Sequence, residues 1–396
     1  MNTEVVTPSS GALAGLVTLK IERVLELART HLQMEVSFLS QFTSDKQIYR
    51  AADGDAESFG ITLGDGPELP TTYCQKMVEG HIPNAVPDSA AEPVVRDLAT
   101  TIDRRIGSYI GVPLRLSDGS LYGTFCCLGH NAESLSSRDV GFMALLAEVL
   151  VEELDSQHRL NQERSLIAGI LTTQSIAIAY QPIVNLHDGR RLGLEALSRF
   201  SAGPPDVIFQ TAHAAGLGVD LEALAVRCAI TVLPRLATDQ YLAVNLSPAA
   251  ALELSSRAVD RPDLDLGRIV LEVTETAAVE SYETLRRSLA PLREQGLRLA
   301  IDDAGAGYAS LHHIVELRPD IIKIDRSLIN GMALNRSRRS AVRAFTALAE
   351  DLGAATVAEG VETTPDLKTA RELGITAAQG YLLGRPTLDP ADLFHA

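Results

Sequence analysis

The stretch LGLEALSRF (residues 192–200) has the pattern of a buried β-strand, yet it carries a carboxylate, Glu195, among its apolar residues. Other polar groups end or follow further apolar, strand-like segments: Asn245, Glu272, Asp302, Asp303, Lys323 and Glu359. Any one such group alone is more often a helix cap or a solvated charge. The ordered series instead predicts a metal site at the mouth of a (β/α) barrel, where the C-terminal ends of the strands meet.

Eight strand-like runs alternate with amphipathic, helix-like segments from about residue 165 to the end. The runs are IAIAYQPIV, RLGLEALSRF, YLAVNLSP, RIVLEVTE, LRLAIDDAG, DIIKIDRS, AATVAEGVE and AAQGYLLGRP. Gly296, Gly353 and Gly374 each follow a helix-like segment, at the place where glycine commonly ends a helix. This alternation predicts an α/β fold, a closed (β/α)8 barrel of the TIM type.

Residues 14–154 show a different pattern, in which helices flank several short strands. EVSFLSQF alternates as a strand does, and GSYIGVPLRLSDGSLYGTFCCLGH has the pattern of two strands joined at the Asp118-Gly119 turn. A long helix-like segment follows, and its apolar residues give way to a polar stretch at residues 155–164. We therefore predict an α+β domain over residues 14–154, a helical linker over 155–164 and the barrel over 165–396.

Composition restricts the partners of the chain. Its 396 residues are 46% hydrophobic, enough for two or more cores, and their net charge is -16. An acidic chain is a poor binder of nucleic-acid polymers and anionic membranes, although metals or a few arginines can attract a small anionic ligand. The longest apolar run, FMALLAEVLV, is too short to span a bilayer, and the four cysteines form no CxxC pair. We expect a cytoplasmic protein without membrane insertion or a disulfide framework.

The polar series offers carboxylate and amide oxygens, which suit the hard divalent cations Mg²⁺ and Mn²⁺. Asp302 and Asp303 place two carboxylates side by side at a strand end, and one carboxylate can bridge two cations about 3.5–4 Å apart. Lys323, in DIIKID, is suited to orient a metal-bound water or to offset charge on a phosphate.

These segments together resemble the EAL domain, the cyclic di-GMP phosphodiesterase family. The likeness runs through eight motifs in order: YQPIV, EALSR, VNLSP, LEVTE, IDDAGAGYASL, IKID, AEGVE and QGYLLGRP. The resemblance implies two metal ions, and their ligands fall on Glu195, Asn245, Glu272, Asp302, Asp303 and Glu359. By the same resemblance, Asp302 is the ligand that bridges the two ions. Lys323 helps to hold the attacking water, and Glu195 and Glu359 are catalytic residues together with Lys323.

The same resemblance implies hydrolysis of one 3′,5′-phosphodiester of cyclic di-GMP to linear pGpG, with a hydroxide formed from bound water as the nucleophile. Substrate contacts fall on Gln181, Leu197, Arg199, Glu362 and Gln379. Arg199 would contact a phosphate, and Glu275 would secure the loop after Asp303. That loop departs from the family, which commonly has Phe and Thr where this chain has Ala304 and Ala306. Because both replacements are small, we expect the loop to lose an apolar anchor.

The segments PTTYCQKMVEGHIPNAVPDSAAEP and SYIGVPLRLSDGSLYGTFCC resemble a GAF domain, a sensory or dimerising module. The resemblance implies that residues 14–154 regulate the barrel, and it favours a homodimer, but it supplies no GAF ligand. For Cys74, a role in packing is favoured over attachment of a chromophore. For His81 and His130, a role in packing is likewise favoured over ligation of a haem. The linker helix offers a route for a signal between the domains.

Two other functions compete with a catalytic phosphodiesterase. A non-catalytic cyclic di-GMP receptor would signal to a partner, but such receptors usually lack a metal ligand, and the loop at Ala304 is the one feature that favours this hypothesis. An unrelated barrel phosphohydrolase would need a Gly-rich phosphate site after its last strands, which AEGVE and QGYLLGRP do not supply. The chain contains no GGDEF-type sequence, so we expect no cyclase activity.

Overall fold

The structure, a computed structural model, describes residues 10–258, 264–273, 281–306 and 310–389. The chain divides into two compact units: unit 1 ends at Gln162, and unit 2 begins at Glu163. Within the described ranges, no helix has both the length and the apolar character that crossing a bilayer requires.

Unit 1 is built on a five-stranded antiparallel sheet with helices around it. In chain order its elements are α1 (Ser10–Leu32), β1 (Val36–Phe42), β2 (Gln47–Gly54), α2 (Tyr73–Val78), β3 (Ala85–Val86), α3 (Ala99–Asp103), β4 (Ser108–Arg115), β5 (Leu121–Gly129) and α4 (Ser137–Thr173), with a 3₁₀ turn at Leu69–Thr71. The strands pair in the order β2-β1-β5-β4-β3. β4 and β5 form the predicted hairpin, and Gly119 in its turn has the positive φ, 84°, that such turns need.

The sheet of unit 1 is covered on both faces, because alternate residues of a strand point to opposite sides. On β5, Cys127 joins a buried cluster with Leu25 of α1 and Met143 of α4. Its neighbour Cys126 joins a second cluster on the other face, which includes Cys74 of α2. Burying one large apolar side chain contributes roughly 1.5–3 kcal/mol, so these two clusters are what stabilise the unit.

Unit 2 is a closed barrel of eight strands, as predicted. In chain order its strands are β6 (Ala177–Asn185), β7 (Arg191–Arg199), β8 (Tyr241–Leu246), β9 (Ile269–Val273), β10 (Arg298–Ala304), β11 (Ile321–Ile324), β12 (Ala355–Ala358) and β13 (Ala377–Ala378). Its helices are α5 (Pro205–Ala214), α6 (Gly218–Ala229), α7 (Pro248–Ala258), α8 (Tyr282–Glu294), α9 (Ser310–Leu317), α10 (Arg326–Ile329), α11 (Arg336–Leu352) and α12 (Thr364–Glu372), with 3₁₀ turns at Ile230–Arg235 and Leu266–Arg268. Strand order around the barrel follows the chain, and β13 closes on β6.

The first strand of the barrel departs from a uniform parallel arrangement. β6 runs antiparallel to both of its neighbours, β7 and β13, and a short hairpin at residues 186–190 joins it to β7 in place of a helix. The last strand is shorter than predicted and ends at Ala378. Beyond it the chain packs so closely on the backbone of Val361 that Gly380 has no room for a Cβ. Helix α11 ends as predicted at Gly353, whose φ of 70° places it in the left-handed conformation common at helix ends.

An apolar layer fills one end of the barrel interior, and we call it the apolar floor. Its members are Ile183, Tyr241, Ala243, Val270, Ala300, Ile321, Val357 and Ala377. The ring of Tyr241 fits there because Gly193 on β7 has no side chain; a Cβ at that position would lie 2.8 Å from the ring. Residues two positions along a strand point to the same side, so the side chains that follow the floor must form the next interior layer.

Candidate active site

Eight of the predicted site residues form the layer directly above the apolar floor. Asn245 follows Ala243 by two positions, Glu272 follows Val270, Asp302 follows Ala300, Lys323 follows Ile321, Glu359 follows Val357, and Gln379 follows Ala377. On the antiparallel strand β6 the offset reverses, so Gln181 precedes Ile183 and pairs in register with Glu195 on β7. The strand period of two therefore carries polar residues from eight separate segments into one layer.

Lys323 lies at the centre of this layer, and only 1% of its surface is exposed. Its Nζ is 2.8 Å from Asp302 Oδ1, 2.9 Å from Glu359 Oε1 and 3.0 Å from Glu272 Oε1. Glu195 Oε1 is slightly farther, at 3.5 Å. A buried ammonium is costly unless carboxylates surround it, and here three strands and the residue directly after β12 each supply one.

Asp302 and Asp303 both reach the site although consecutive strand residues normally point to opposite faces. The pairing of β10 with β11 shifts its register between Ile301 and Ala304, and Asp303 adopts a left-handed backbone with φ of 54°. A bulge of this kind re-aims side chains at the end of a strand. Oxygens of Asp302, Asp303 and Glu359 consequently lie within 4.8 Å of one another.

Negative charge exceeds positive charge in this layer, since five carboxylates face the one ammonium of Lys323. Burial raises the pKa values of Glu272 and Glu359 well above the ordinary value; neighbouring carboxylates add to this rise, and Lys323 opposes it. Partial burial, with Asp302 and Asp325 nearby, raises the pKa of Asp303 to about 6. Burial opposes the charge on Lys323, but the surrounding carboxylates outweigh it and raise its pKa well above the ordinary value. Holding these carboxylates together therefore costs free energy in the folded protein, and a bound cation would remove that cost.

The oxygens are also grouped as divalent cations require. Glu195, Glu272 and Asp302 form one group within 4.8 Å, and Asp302 belongs as well to the group with Asp303 and Glu359. Buried Oε2 of Glu272 has no hydrogen-bond partner among the described residues. An acceptor left in this state is costly in a protein interior, so it marks a place for a ligand.

Amide side chains fix the orientation of Glu195. Gln379 Nε2 donates a short hydrogen bond to Glu195 Oε2, and Asn245 Nδ2 donates to Glu195 Oε1 at 3.2 Å. Gln379 also donates to Gln181 Oε1 at 2.8 Å, and Gln181 in turn donates to the carbonyl of Gly384 at 2.9 Å. Burial raises the pKa of Glu195, but Lys323 and these amides outweigh it and hold that pKa below the ordinary value.

A cavity of about 750 Å³ opens beside the layer, between β7, β8 and helices α5 and α6. Three of the predicted residues line it: Leu197, Arg199 and Asn245. Arg199 is exposed, and its guanidinium donates to the carbonyl of its neighbour Ser198 at 2.8 Å. Glu362 is exposed after β12. Glu275 lies outside the described residues.

The structure adds a buried carboxylate that the sequence did not single out, Glu222 on α6. Its Oε2 accepts from the backbone N–H of Ser247 at 2.7 Å, two residues after Asn245, and its Oε1 lies 2.6 Å from His213 Nε2. This hydrogen bond raises the pKa of His213. The ring of His213 occupies the place that a Cβ at position 218 would need, which explains Gly218. The sequence signal that could have identified Glu222 is its position as an acidic residue on the buried face of the helix-like segment DLEALAV.

The loop after Asp303 has apolar contacts in spite of its small residues. Ala304 is fully buried, and the backbone at Gly305 lies against Leu328 of α10 and Phe345 of α11, so closely that a Cβ there would overlap Leu328. For residues 304–306, α10 and α11 therefore supply an anchor that the sequence did not reveal.

Comparison with known proteins gives two family matches. A model described as EAL domain matches residues 163–386, and a model described as GAF domain matches residues 21–154. These matches confirm the predicted order of domains.

Two similar relatives come from Pseudomonas aeruginosa: the cyclic di-GMP phosphodiesterase NbdA and the bifunctional diguanylate cyclase/cyclic di-GMP phosphodiesterase MucR. Each is 30% identical, over 321 and 302 residues, which cover 74% and 71% of this chain. The chain spans 39% and 43% of the lengths of these two relatives. Among solved structures, the PaMucR phosphodiesterase in complex with c-di-GMP is 31% identical, with a TM-score of 0.52, and the match covers 59% of this chain and 99% of that one.

Proposed function

Because the chain belongs to the EAL-domain family, we propose that its barrel hydrolyses one phosphodiester of cyclic di-GMP to give linear pGpG, and that the reaction depends on divalent cations. The cluster of carboxylates around Lys323 carries this proposal, since its excess of negative charge is suited to cations and a phosphate. Two relatives that are 30% identical are named for the hydrolysis of cyclic di-GMP, which supports the choice of substrate.

Six oxygen donors would hold two ions of Mg²⁺ or Mn²⁺: Glu195, Asn245, Glu272, Asp302, Asp303 and Glu359. Hard cations of this kind prefer such donors, and the residues present therefore fit the group. Asp302 would lie between the two ions, because its carboxylate belongs to both groups of oxygens. When bound, the ions would supply Lewis-acid stabilisation of the phosphate and would acidify water.

Lys323 would act as a fixed positive charge and a hydrogen-bond donor. Four carboxylates lie within 3.5 Å of its Nζ and favour the charged ammonium, which donates hydrogen bonds and accepts none. We assign it to the attacking water, which it would orient through Nζ. Glu195 and Glu359 would hold that ammonium in place, since both lie within 3.5 Å of it.

The substrate would bind along the cavity rim. Arg199 is exposed there, and a guanidinium matches two phosphate oxygens at once. Leu197 and the apolar wall of the cavity would contact a base. Gln181 and Gln379 would keep Glu195 oriented and would meet the substrate at the barrel mouth, while Glu362 would contact it from the exposed segment after β12.

Product analysis tests this proposal. Purified protein is incubated with cyclic di-GMP and Mg²⁺ or Mn²⁺, and nucleotides are separated by chromatography. We expect pGpG as the product, loss of its formation on chelation, and recovery when the cation is added back. The rates with the two cations give the preferred metal. Turnover that is unaffected by chelation would contradict the proposal.

Binding of cyclic di-GMP without turnover would favour the receptor instead. The observation that favours a receptor is the loop at Ala304, because the sequence of this loop departs from the family. Calorimetric titration of the nucleotide in chelated buffer measures binding separately from hydrolysis, so the two functions can be distinguished in one preparation.

We also propose a cytoplasmic homodimer in which the GAF domain regulates the barrel. Within unit 1, helix α4 leaves three large apolar side chains exposed: Leu145, Val149 and Leu160. At about 100° per residue these positions fall on one side of the helix, which suits pairing with a second copy. We expect light scattering to give the mass of two chains, and a single-chain mass across the working concentrations would contradict the dimer.

A further inference from the structure

Two cysteine thiols lie in contact inside unit 1. Cys74 Sγ on α2 is 3.4 Å from Cys126 Sγ on β5, and both side chains are buried. A disulfide needs sulfurs about 2.0 Å apart, so an approach of about 1.4 Å would join them. The residues are 52 positions apart in the chain, and the fold alone brings them together.

Polar groups surround this thiol pair on the same face of the sheet. Gln47 Nε2 donates to Cys74 Sγ at 3.3 Å, and the hydroxyl of Tyr109 lies 3.5 Å from Cys126 Sγ. Gln47 is 1% exposed, and its Oε1 has no hydrogen-bond partner in the part of the chain that the structure describes. A purely apolar packing role would not need an amide and a phenol directed at two sulfurs.

A small cavity reaches Cys74. It measures about 30 Å³, and Gln47, Tyr49, Cys74 and Arg104 are among the residues that line it. Roughly 10–15 Å³ of such space holds one water, so this cavity can admit a small polar molecule such as a peroxide. The unpartnered Oε1 of Gln47 would accept a hydrogen bond from it.

We propose that Cys74 and Cys126 form a peroxide-sensitive dithiol that closes to a disulfide within the GAF domain. The sulfur of Cys74 attacks one peroxide oxygen, the O–O bond breaks, and the departing hydroxide takes the thiol proton to form water. Cys126 then attacks the resulting sulfenic sulfur of Cys74. The S–S bond forms, the S–O bond breaks, and the second hydroxide leaves as water with the proton of Cys126. Two thiols are oxidised by two electrons, and one peroxide is reduced to two waters.

The environments of the two thiols match these roles. Burial raises the pKa of Cys74, but hydrogen bonds from Cys126, Thr124 and Gln47 outweigh it and hold that pKa below the ordinary value. Burial raises the pKa of Cys126 well above the ordinary value. Cys74 is therefore the first nucleophile and Cys126 the resolving thiol.

Mass spectrometry of the full chain tests this inference. Native protein is treated with hydrogen peroxide, remaining thiols are blocked, and the digest is mapped without reduction. We expect two of the four thiols to be lost and one cross-linked pair of peptides, containing Cys74 and Cys126, that dithiothreitol separates. In Cys126→Ser, Cys74 should be trapped as a sulfenic acid by dimedone; in Cys74→Ser, Cys126 should remain a thiol.

Cys127→Ser is the matched control. Cys127 is the next residue on β5 and is equally buried, but it joins the cluster on the opposite face of the sheet. The cross-link should form in this variant as in the parent chain. A cross-link to Cys127 or Cys228, or oxidation of Cys74 to sulfinic acid without any cross-link in the native protein, would overturn the inference. The result does not depend on the activity of the barrel.

Discussion

Replacing Asp302 by asparagine should lower the turnover of cyclic di-GMP by about 10³-fold or more. Asp302 belongs to both groups of carboxylate oxygens, so its charge would be shared between two cations. The amide keeps the shape of the side chain and removes that charge. Several kcal/mol of transition-state stabilisation is then lost, and about 4 kcal/mol corresponds to a factor of about 10³. Initial rates of pGpG formation measure the effect.

The stability of the Asp302→Asn variant separates this loss from misfolding. In chelated buffer the variant should melt at the parent temperature or above it, because one of five mutually repelling carboxylates is neutralised. Added Mg²⁺ should raise the melting temperature of the parent more than that of the variant, since binding to the native state stabilises it.

Asp188→Asn is the control for the change in charge. Asp188 lies in the hairpin between β6 and β7, where it caps the backbone N–H of Arg190. The turnover of this variant should equal that of the parent. Full turnover in Asp302→Asn would contradict the assignment of Asp302 as the shared ligand.

Replacing Lys323 by methionine should destabilise the barrel by about 3–5 kcal/mol in chelated buffer. Lys323 is buried, and four carboxylates lie within 3.5 Å of its Nζ. Methionine fills the same space but does not compensate the charge of the carboxylates. Removal of the ammonium therefore leaves the buried carboxylates without their positive partner. Turnover should also fall, by about 10²–10³-fold, because a donor to the reacting centre is lost.

Urea denaturation followed by circular dichroism measures the stability, since the chain has no tryptophan to report by fluorescence. Lys368→Met is the matched control in the same unit. Lys368 is an exposed lysine on α12, paired with Glu372 one helical turn away, and such pairs contribute little. An equally small change in both variants would refute the central role of Lys323.

The sequence was a better guide to which side chains lie together inside the barrel than to how they are arranged there. The eight-stranded barrel and the order of the two domains are confirmed by the structure and by the family matches. Glu195, Glu272 and Asp302 do meet around Lys323, because a period of two along each strand is enough to predict which side chains share a face.

Other features depended on tertiary contacts that no local pattern encodes. The antiparallel direction of β6 places Gln181 in mid-strand opposite Glu195, which a hydrophobic run cannot reveal because its pattern is the same in both directions. The bulge at Asp302 and Asp303 arises from a shift in pairing with β11. The contact between Cys74 and Cys126 joins distant segments, and the sequence favoured a packing role for Cys74.

The two-residue offset between the apolar floor and the polar layer also restricts how this barrel can evolve. A point substitution changes one contact, but inserting or deleting a single residue between Ile321 and Lys323 would turn the lysine outward and bring Ile322 or Ile324 towards the barrel axis. The same holds for every strand that supplies a ligand. Length variation among descendants of this chain should therefore accumulate in the surface connections, while the spacing within each strand stays constant even where the residues themselves change.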